Sequence, residues 1–367
     1  MVLVCDKPPK NLCIIRLSAI GDICNTVPVV RAVQRAWPQV ALTWIIGKTE
    51  HALLAGLEGV QFIVLDKSKG LGGYIEVRKQ LVGRRFDFLL HMHASLRANL
   101  ISCFVSSKMR LGFDRARARD FQWLFCNEHI AAIDHQHVMD GFFEFSTAIG
   151  VQREKEDPHW EIPLADADHE FAARYVDGSK PTLVISPCTG QRYRNYRNWR
   201  VERYAQIADY ASSAYGANIL LTGGSTVLER HYGSRICELA ESKIVNLIGQ
   251  TTLKQLLAIL ERATVLVCPD SGPGHMATAV GTLVVGLYGT SNPLRTGPYL
   301  SQHLVIDRYS EAVRNQLNKS VDDVRWGSRV RNSISMDLIS VEDVAQKLRQ
   351  ADWGPKVLSS HLGARSW

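Results

Sequence analysis

Eight cysteines (5, 13, 24, 103, 126, 188, 237 and 268) are scattered along the 367 residues without a CxxC pair, and several sit inside apolar runs. That pattern excludes a disulfide framework and a zinc ribbon, leaving reduced core thiols. No apolar run reaches the roughly 18 residues that a membrane-spanning helix needs. The opening MVLVCDKPPK has neither the basic start nor the apolar stretch of a secretory signal, so a cytoplasmic protein is expected. Neither GxGxxG nor a Walker motif occurs, and a dehydrogenase or P-loop enzyme therefore lacks its signature. Zinc-finger spacing, an RRM signature and basic-zipper heptads are missing too, so nucleic acid is not the expected partner despite a net charge of +7.

What is present is ordinary globular composition, 46% hydrophobic and 22% charged, in a chain long enough for two domains. The charge is unevenly spread. Between Lys67 and Arg119 stand twelve Lys and Arg against three acids. This excess implies a polyanionic partner such as a phosphorylated glycolipid or an anionic membrane surface.

Hydrophobic periodicity predicts strands at 12–16, 42–46, 61–65 and 88–90 separated by helical stretches, the pattern of a doubly wound parallel sheet. After a polar, proline-containing stretch at 154–170, a second series begins with a strand at 182–186. It continues through a strand at 217–224, a strand at 244–247 and a helix at 253–262 with Thr252 and Gln255 in capping-box spacing. A last short helix starts at Ser340 and Asp343. The chain is read as an α/β protein of two Rossmann-like domains, 1–170 and 171–340, with a helix and tail at 341–367 packing back toward the first.

The second half is organised around 263–288, ATVLVCPDSGPGHMATAVGTLVVGLY. An apolar strand ends in a carboxylate, a glycine-rich turn and a histidine ahead of a small-residue helix. Free N–H groups and the helix dipole attract phosphate at such a turn, and ligands bind at the carboxyl ends of strands in open α/β sheets. Asp270, Ser271 and His275 are placed to touch one. The first half opens the same way, with LCIIR, the loop LSAIGD and a helix carrying Asp22, where a carboxylate can also serve as a cap. The loop after the 182–186 strand, PCTGQRYRNYRNW, holds Arg192, Arg194, Arg197 and Arg200. His91 and His93 alternate at the end of a strand, as do His135 and His137 further on. Neither pair has a third ligand at a metal-site spacing.

These motifs carry a resemblance. LCIIRLSAIGDICNTVPVVRAVQRAWP, HASLRANLI, RNYRNW, LLTGG and PDSGPGHMATAVGTLVVGLYGTSNPLRTGPY resemble, in order and spacing over residues 12–349, the motifs of glycosyltransferase family 9, the ADP-heptose:lipopolysaccharide heptosyltransferases. The resemblance implies a GT-B fold, two Rossmann-like domains facing each other over a cleft. It implies inverting transfer of heptose from ADP-L-glycero-D-manno-heptose to the Kdo-lipid A inner core, without metal or other cofactor, on the cytoplasmic surface of the inner membrane. It makes Asp22 the general base, Arg97 and Arg119 acceptor contacts, and Thr189, Arg197, Glu229, Asp270, Ser271, Gly272, Gly274 and His275 donor contacts. The sequence departs from the family in placing arginine where lysine is usual at 197, in a longer 189–196 loop, and in about ten residues ahead of the first strand. Two other readings stay open: a GT-B transferase with another nucleotide sugar or a protein acceptor, and a non-catalytic binder of lipopolysaccharide precursors or RNA. Together Asp22, Asp270 and His275 argue against the non-catalytic reading, because binding alone needs no base.

Overall fold

The computed structural model describes residues 8–155, 157–190, 195–332 and 334–354. The chain forms two compact units, Met1–Pro163 and Leu164–Trp367. In the first, strands β1 (Asn11–Ile15), β2 (Ala41–Gly47), β3 (Val60–Leu65), β4 (Phe86–His91), β5 (Ser107–Gly112) and β6 (Glu128–His129) alternate with helices α1 (Ile20–Ala36), α2 (Lys48–Leu54), α3 (Leu71–Leu81), α4 (Leu96–Ser102) and α5 (Val138–Ala148). In the second, α6 (Asp166–Ala173) leads into β7 (Thr182–Ile185), α7 (Val201–Tyr215), β8 (Asn218–Leu221), α8 (Val227–Leu239), β9 (Ile244–Asn246), α9 (Leu253–Arg262), β10 (Val265–Pro269), α10 (Gly272–Ala279), β11 (Leu283–Tyr288), α11 (Pro293–Thr296), β12 (Ile306–Asp307), α12 (Tyr309–Leu317) and α13 (Val341–Gln350).

Each unit holds one six-stranded parallel sheet, ordered β3-β2-β1-β4-β5-β6 in the first and β12-β11-β10-β7-β8-β9 in the second. Read from its first strand, each sheet runs three strands one way and three the other. The order reverses between β1 and β4 in one unit and between β7 and β10 in the other. Those two reversal points leave crevices at the carboxyl edge, and they are filled by the loops that the motifs occupy.

The inner strands β1, β2, β4, β7, β8, β10 and β11 are buried along most of their length and read as largely apolar runs, which is what a helix-covered parallel sheet requires. On one face of the first sheet, Val77 and Leu81 of α3 and Ala98 and Ile101 of α4 pack on Cys13, Ile15, Ile63 and Leu89. In the second unit Thr252 and Gln255 close the predicted capping box on α9, and Leu256, Leu257 and Leu260 are buried.

The expected boundary at 170/171 lies instead at 163/164. The polar stretch there contains α6, which packs on α9 and so belongs to the second unit. The expectation that the last helix packs back toward the first unit is corrected likewise. Val344, Ala345 and Leu348 of α13 enter the second unit's own core beside Trp199 and Ile207; residues 355–367 lie outside the described residues.

His91 closes β4 with no exposed surface. Burial pushes its imidazole down to about 3, and the Arg110 charge adds to the shift. A histidine held neutral this way takes up a proton on unfolding, so its stabilisation is present above pH 6.5 and is lost as pH falls from there toward 3. Going from pH 6.5 to 5 should remove about 2 kcal/mol through His91 alone. Denaturation of His91→Asn at pH 7 and pH 5 should therefore show a smaller pH-dependent loss than wild type, by about that amount. An unchanged pH response would place the proton uptake elsewhere.

Candidate active site

In the first unit β1 delivers Arg16 to the sheet edge, and α1 begins four residues later with Asp22 in its first turn. The guanidinium of Arg16 donates to Asp22 Oδ2 through Nη2, to the Met92 carbonyl through Nη1 at 2.5 Å, and lies over the Phe142 ring at 4.9 Å. It is almost fully buried, whereas the Asp22 side chain keeps 35% of its surface exposed. The geometry is a carboxylate gripped from below and open from above. Arg16 was not among the residues singled out from sequence; its signal is a charge ending an apolar strand.

His93 joins the same edge. Its Nδ1 accepts the Leu17 N–H at 3.0 Å, which places the proton of the neutral ring on Nε2. Burial, followed by the charge of Arg16, pushes it down to about 3. The two alternating histidines thus part company, His91 in the core and His93 in the loop after β4, hydrogen-bonded to the loop that carries Arg16 and Leu17. Of the other pair, His137 caps α5 by accepting the Met139 N–H at 3.1 Å. Among the described residues no cluster of His, Cys, Asp or Glu could hold a metal ion. Arg97 in α4 and Arg119 in the loop after β5 are exposed. Among the described residues neither guanidinium forms an ion pair.

In the second unit the loops after β7 and β10 meet at the reversal point. Arg197 Nη1 donates to the Asp270 carbonyl at 2.8 Å and lies 3.5 Å from Asp270 Oδ2, while its Nε donates to Asn195 Oδ1 at 3.2 Å. The Asp270 carboxylate is buried and accepts from Ser291 Oγ at 2.8 Å and Arg329 Nη2 at 3.4 Å. It therefore organises basic groups around the start of α10.

Ser271 is the N-cap residue of α10, and its Oγ is buried with no hydrogen-bond partner among the described residues. Gly272 and Pro273 open the helix, where a proline costs nothing because that N–H has no helical acceptor. A Cβ on Gly274 would stand 3.2 Å from Cys268 Sγ, so glycine is what lets α10 lie this close to β10. His275 is buried in the first turn.

Two residues predicted as donor contacts have structural work of their own. Thr189 is buried; its N–H donates to Asn198 Oδ1 at 2.9 Å and its hydroxyl accepts from Asn195. Glu229 closes the capping box of α8, accepting from the Gly224 N–H at 2.7 Å and the Thr226 hydroxyl at 2.5 Å. Arg192 and Arg194 lie outside the described residues.

Arg200 ends the loop and Arg203 stands in the first turn of α7. Arg200 Nε donates to Asp337 Oδ1 at 2.5 Å, Arg203 Nη1 to the Asp337 carbonyl at 2.9 Å, and the indole of fully buried Trp199 to the Ile339 carbonyl at 3.0 Å. The basic loop is thus bolted to the segment leading into α13.

Two doubly wound units of this topology define a GT-B type glycosyltransferase fold. The same fold is found in the Escherichia coli heptosyltransferase WaaC solved with ADP (TM-score 0.72, 16% identity, covering 93% of this chain and 99% of that one). WaaC solved with ADP-2-deoxy-2-fluoro heptose also matches, with a TM-score of 0.63 at 17% identity over 80% of this chain and 97% of that one. The chain belongs to glycosyltransferase family 9 (heptosyltransferase), whose model matches residues 74–321. It is 36% identical over 344 residues to the lipopolysaccharide core heptosyltransferase OpsX of Haemophilus influenzae, across 94% of this chain and 97% of that relative.

Proposed function

We propose that this enzyme transfers heptose from ADP-L-glycero-D-manno-heptose to the Kdo-lipid A inner core of lipopolysaccharide, inverting the anomeric centre and working at the inner-membrane surface. The observation that carries the reading is the hydrogen bond from Arg197 to the Asp270 carbonyl at 2.8 Å. It sets a guanidinium beside the amino end of α10, where a departing diphosphate would be met by a fixed positive charge and oriented N–H groups. OpsX is a core heptosyltransferase, and WaaC was solved with ADP and with a fluorinated ADP-heptose; both relatives support the donor.

In this scheme Asp22 takes the proton of the attacking acceptor hydroxyl as that oxygen bonds to the anomeric carbon. The bond from that carbon to the β-phosphate oxygen breaks, and ADP leaves with both electrons. Arg197, the Ser271, Gly272 and Gly274 backbone and His275 receive the diphosphate and sugar, with Thr189 behind them. Asp270 holds Arg197 and Arg329 in place. Any ribose hydroxyl reaching Glu229 shares a carboxylate that already caps α8. Positive charge supplied by the chain's own arginines and helix is what makes a metal unnecessary in this reading.

The test is release of ADP from ADP-heptose with heptose-free Kdo-lipid A, compared with an acceptor already carrying one heptose. Turnover with neither acceptor would remove the reading, and turnover with only the second would move the product one sugar outward. Neutralising Arg97 and Arg119 should raise the acceptor KM with little change in donor affinity, and added salt should mimic the loss. Equal weakening of donor and acceptor would make the two arginines structural.

A further inference from the structure

The carboxyl edge of the first sheet carries apolar side chains that stand exposed among the described residues. Leu71 and Ile75 stand one turn apart on α3, Leu96 and Leu100 one turn apart on α4, and Phe121 and Leu124 follow in the loop after β5. Leu71 is 81% exposed, Leu124 72% and Phe121 62%. The three segments form one surface. Helices α3 and α4 lie side by side on the same face of the sheet. Asp120 ties the loop to the first turn of α4, its Oδ2 accepting the Leu96 N–H at 2.9 Å and its carbonyl accepting from Asn99 Nδ2 at 2.6 Å.

Both Asp120 and Phe121 have left-handed backbone, at φ 51° and 60°. A phenylalanine adopts this conformation at a cost, and here the result is a ring pointing outward. Beside it Trp123 packs edge-on at 5.4 Å and carries the Arg115 guanidinium 3.4 Å over its face.

The charges around these residues select the partner. Among the described residues, Asp66 pairs with Lys48, Glu76 with Lys69 and Asp114 with Arg117, while Asp120 takes the Leu96 N–H and sets a single negative charge against the three cations that follow. The ammonium of Lys67 and the guanidinium groups of Arg97 and Arg119 form no ion pair among the described residues. An apolar protein surface would satisfy the leucines and phenylalanine but leave these cations unmatched. A layer that is apolar inside and anionic at its face matches both.

We infer that the α3, α4 and 119–124 surface docks on an anionic lipid bilayer, inserting Leu71, Ile75, Phe121 and Leu124 at the headgroup boundary. The inference deepens the proposed function by naming the face that meets the membrane, yet its test needs no acceptor. The full chain is floated with vesicles of phosphatidylcholine alone and of phosphatidylcholine with about one third phosphatidylglycerol. Binding to the anionic vesicles only is expected, weakening with salt. Leu71→Ser/Ile75→Ser and Phe121→Ser/Leu124→Ser should each lower that binding by at least ~10-fold, while calorimetric ADP affinity stays at the wild-type value and so reports an intact donor unit.

Equal binding to neutral vesicles, or anionic binding that survives both double variants, overturns the inference. So does a dimer in solution that the same variants dissolve, because the face would then belong to a second copy of the chain. Loss of ADP release with intact vesicle binding would instead strike the proposed function.

Discussion

Asp22→Asn is expected to lower turnover by at least ~10²-fold while leaving ADP binding nearly intact, the scale of losing a positioned general base. The structure sharpens the reason. An asparagine at this position would keep the size of the side chain and could still offer its amide oxygen to Arg16 Nη2, so α1 and the β1 edge should be undisturbed. What disappears is a lone pair able to hold the acceptor proton. Single-turnover transfer measured with donor and acceptor both saturating separates this from a binding defect. Near-wild-type transfer by Asp22→Asn would remove Asp22 from the mechanism and pass the role to another group at that edge.

Arg197→Ala is expected to weaken ADP binding and slow transfer together, each by roughly 10-fold or more, as for loss of a charge-assisted contact that strengthens as ADP departs. Arg197→Lys should recover only part of that. The arginine spends Nε on Asn195 and Nη1 on the Asp270 carbonyl at the same time. Lysine has a single nitrogen and cannot keep both anchors while facing a phosphate. Calorimetric titration of ADP into Arg197→Ala, Arg192→Ala and Arg194→Ala distinguishes the candidates. Weakening only in the latter two would mean that Arg197 serves the loop rather than the ligand.

The regular skeleton was legible in the sequence because parallel strands covered on both faces leave unbroken apolar runs. The run at 264–268 is β10, and the Thr252 and Ser340 signals are true caps. Helix α4, with exposed Leu96 and Leu100 on its outer side, and the two-residue strands β6 and β12 were not legible, since neither amphipathic periodicity nor length marked them.

Within the candidate site Asp270, Ser271 and His275 stood out just beyond a strand end and Asp22 at a helix start, while Arg197 was marked in its basic loop by the family resemblance. Arg16 did not stand out, and His93 did so only as one of an alternating pair, because their roles depend on β1 and β4 becoming neighbours although about 75 residues apart, a pairing that only the strand-order reversal creates. Glu229 closes the capping box of α8, a role that the Thr226–Glu229 spacing encodes as plainly as the ribose contact that the family resemblance implied.

The fastening of the basic loop to Asp337 and Ile339 has a consequence for dissecting this protein. The segment from 334 to 354 acts as a clasp on a loop some 140 residues earlier in the same unit. A fragment ending near residue 330 would retain all six strands of the second sheet and still lose the grip that holds Trp199 and its neighbours. Such a fragment would also strip Met336, Ile339, Val344, Ala345 and Leu348 from the core of that sheet, so any ligand affinity measured on it would understate what the intact chain achieves.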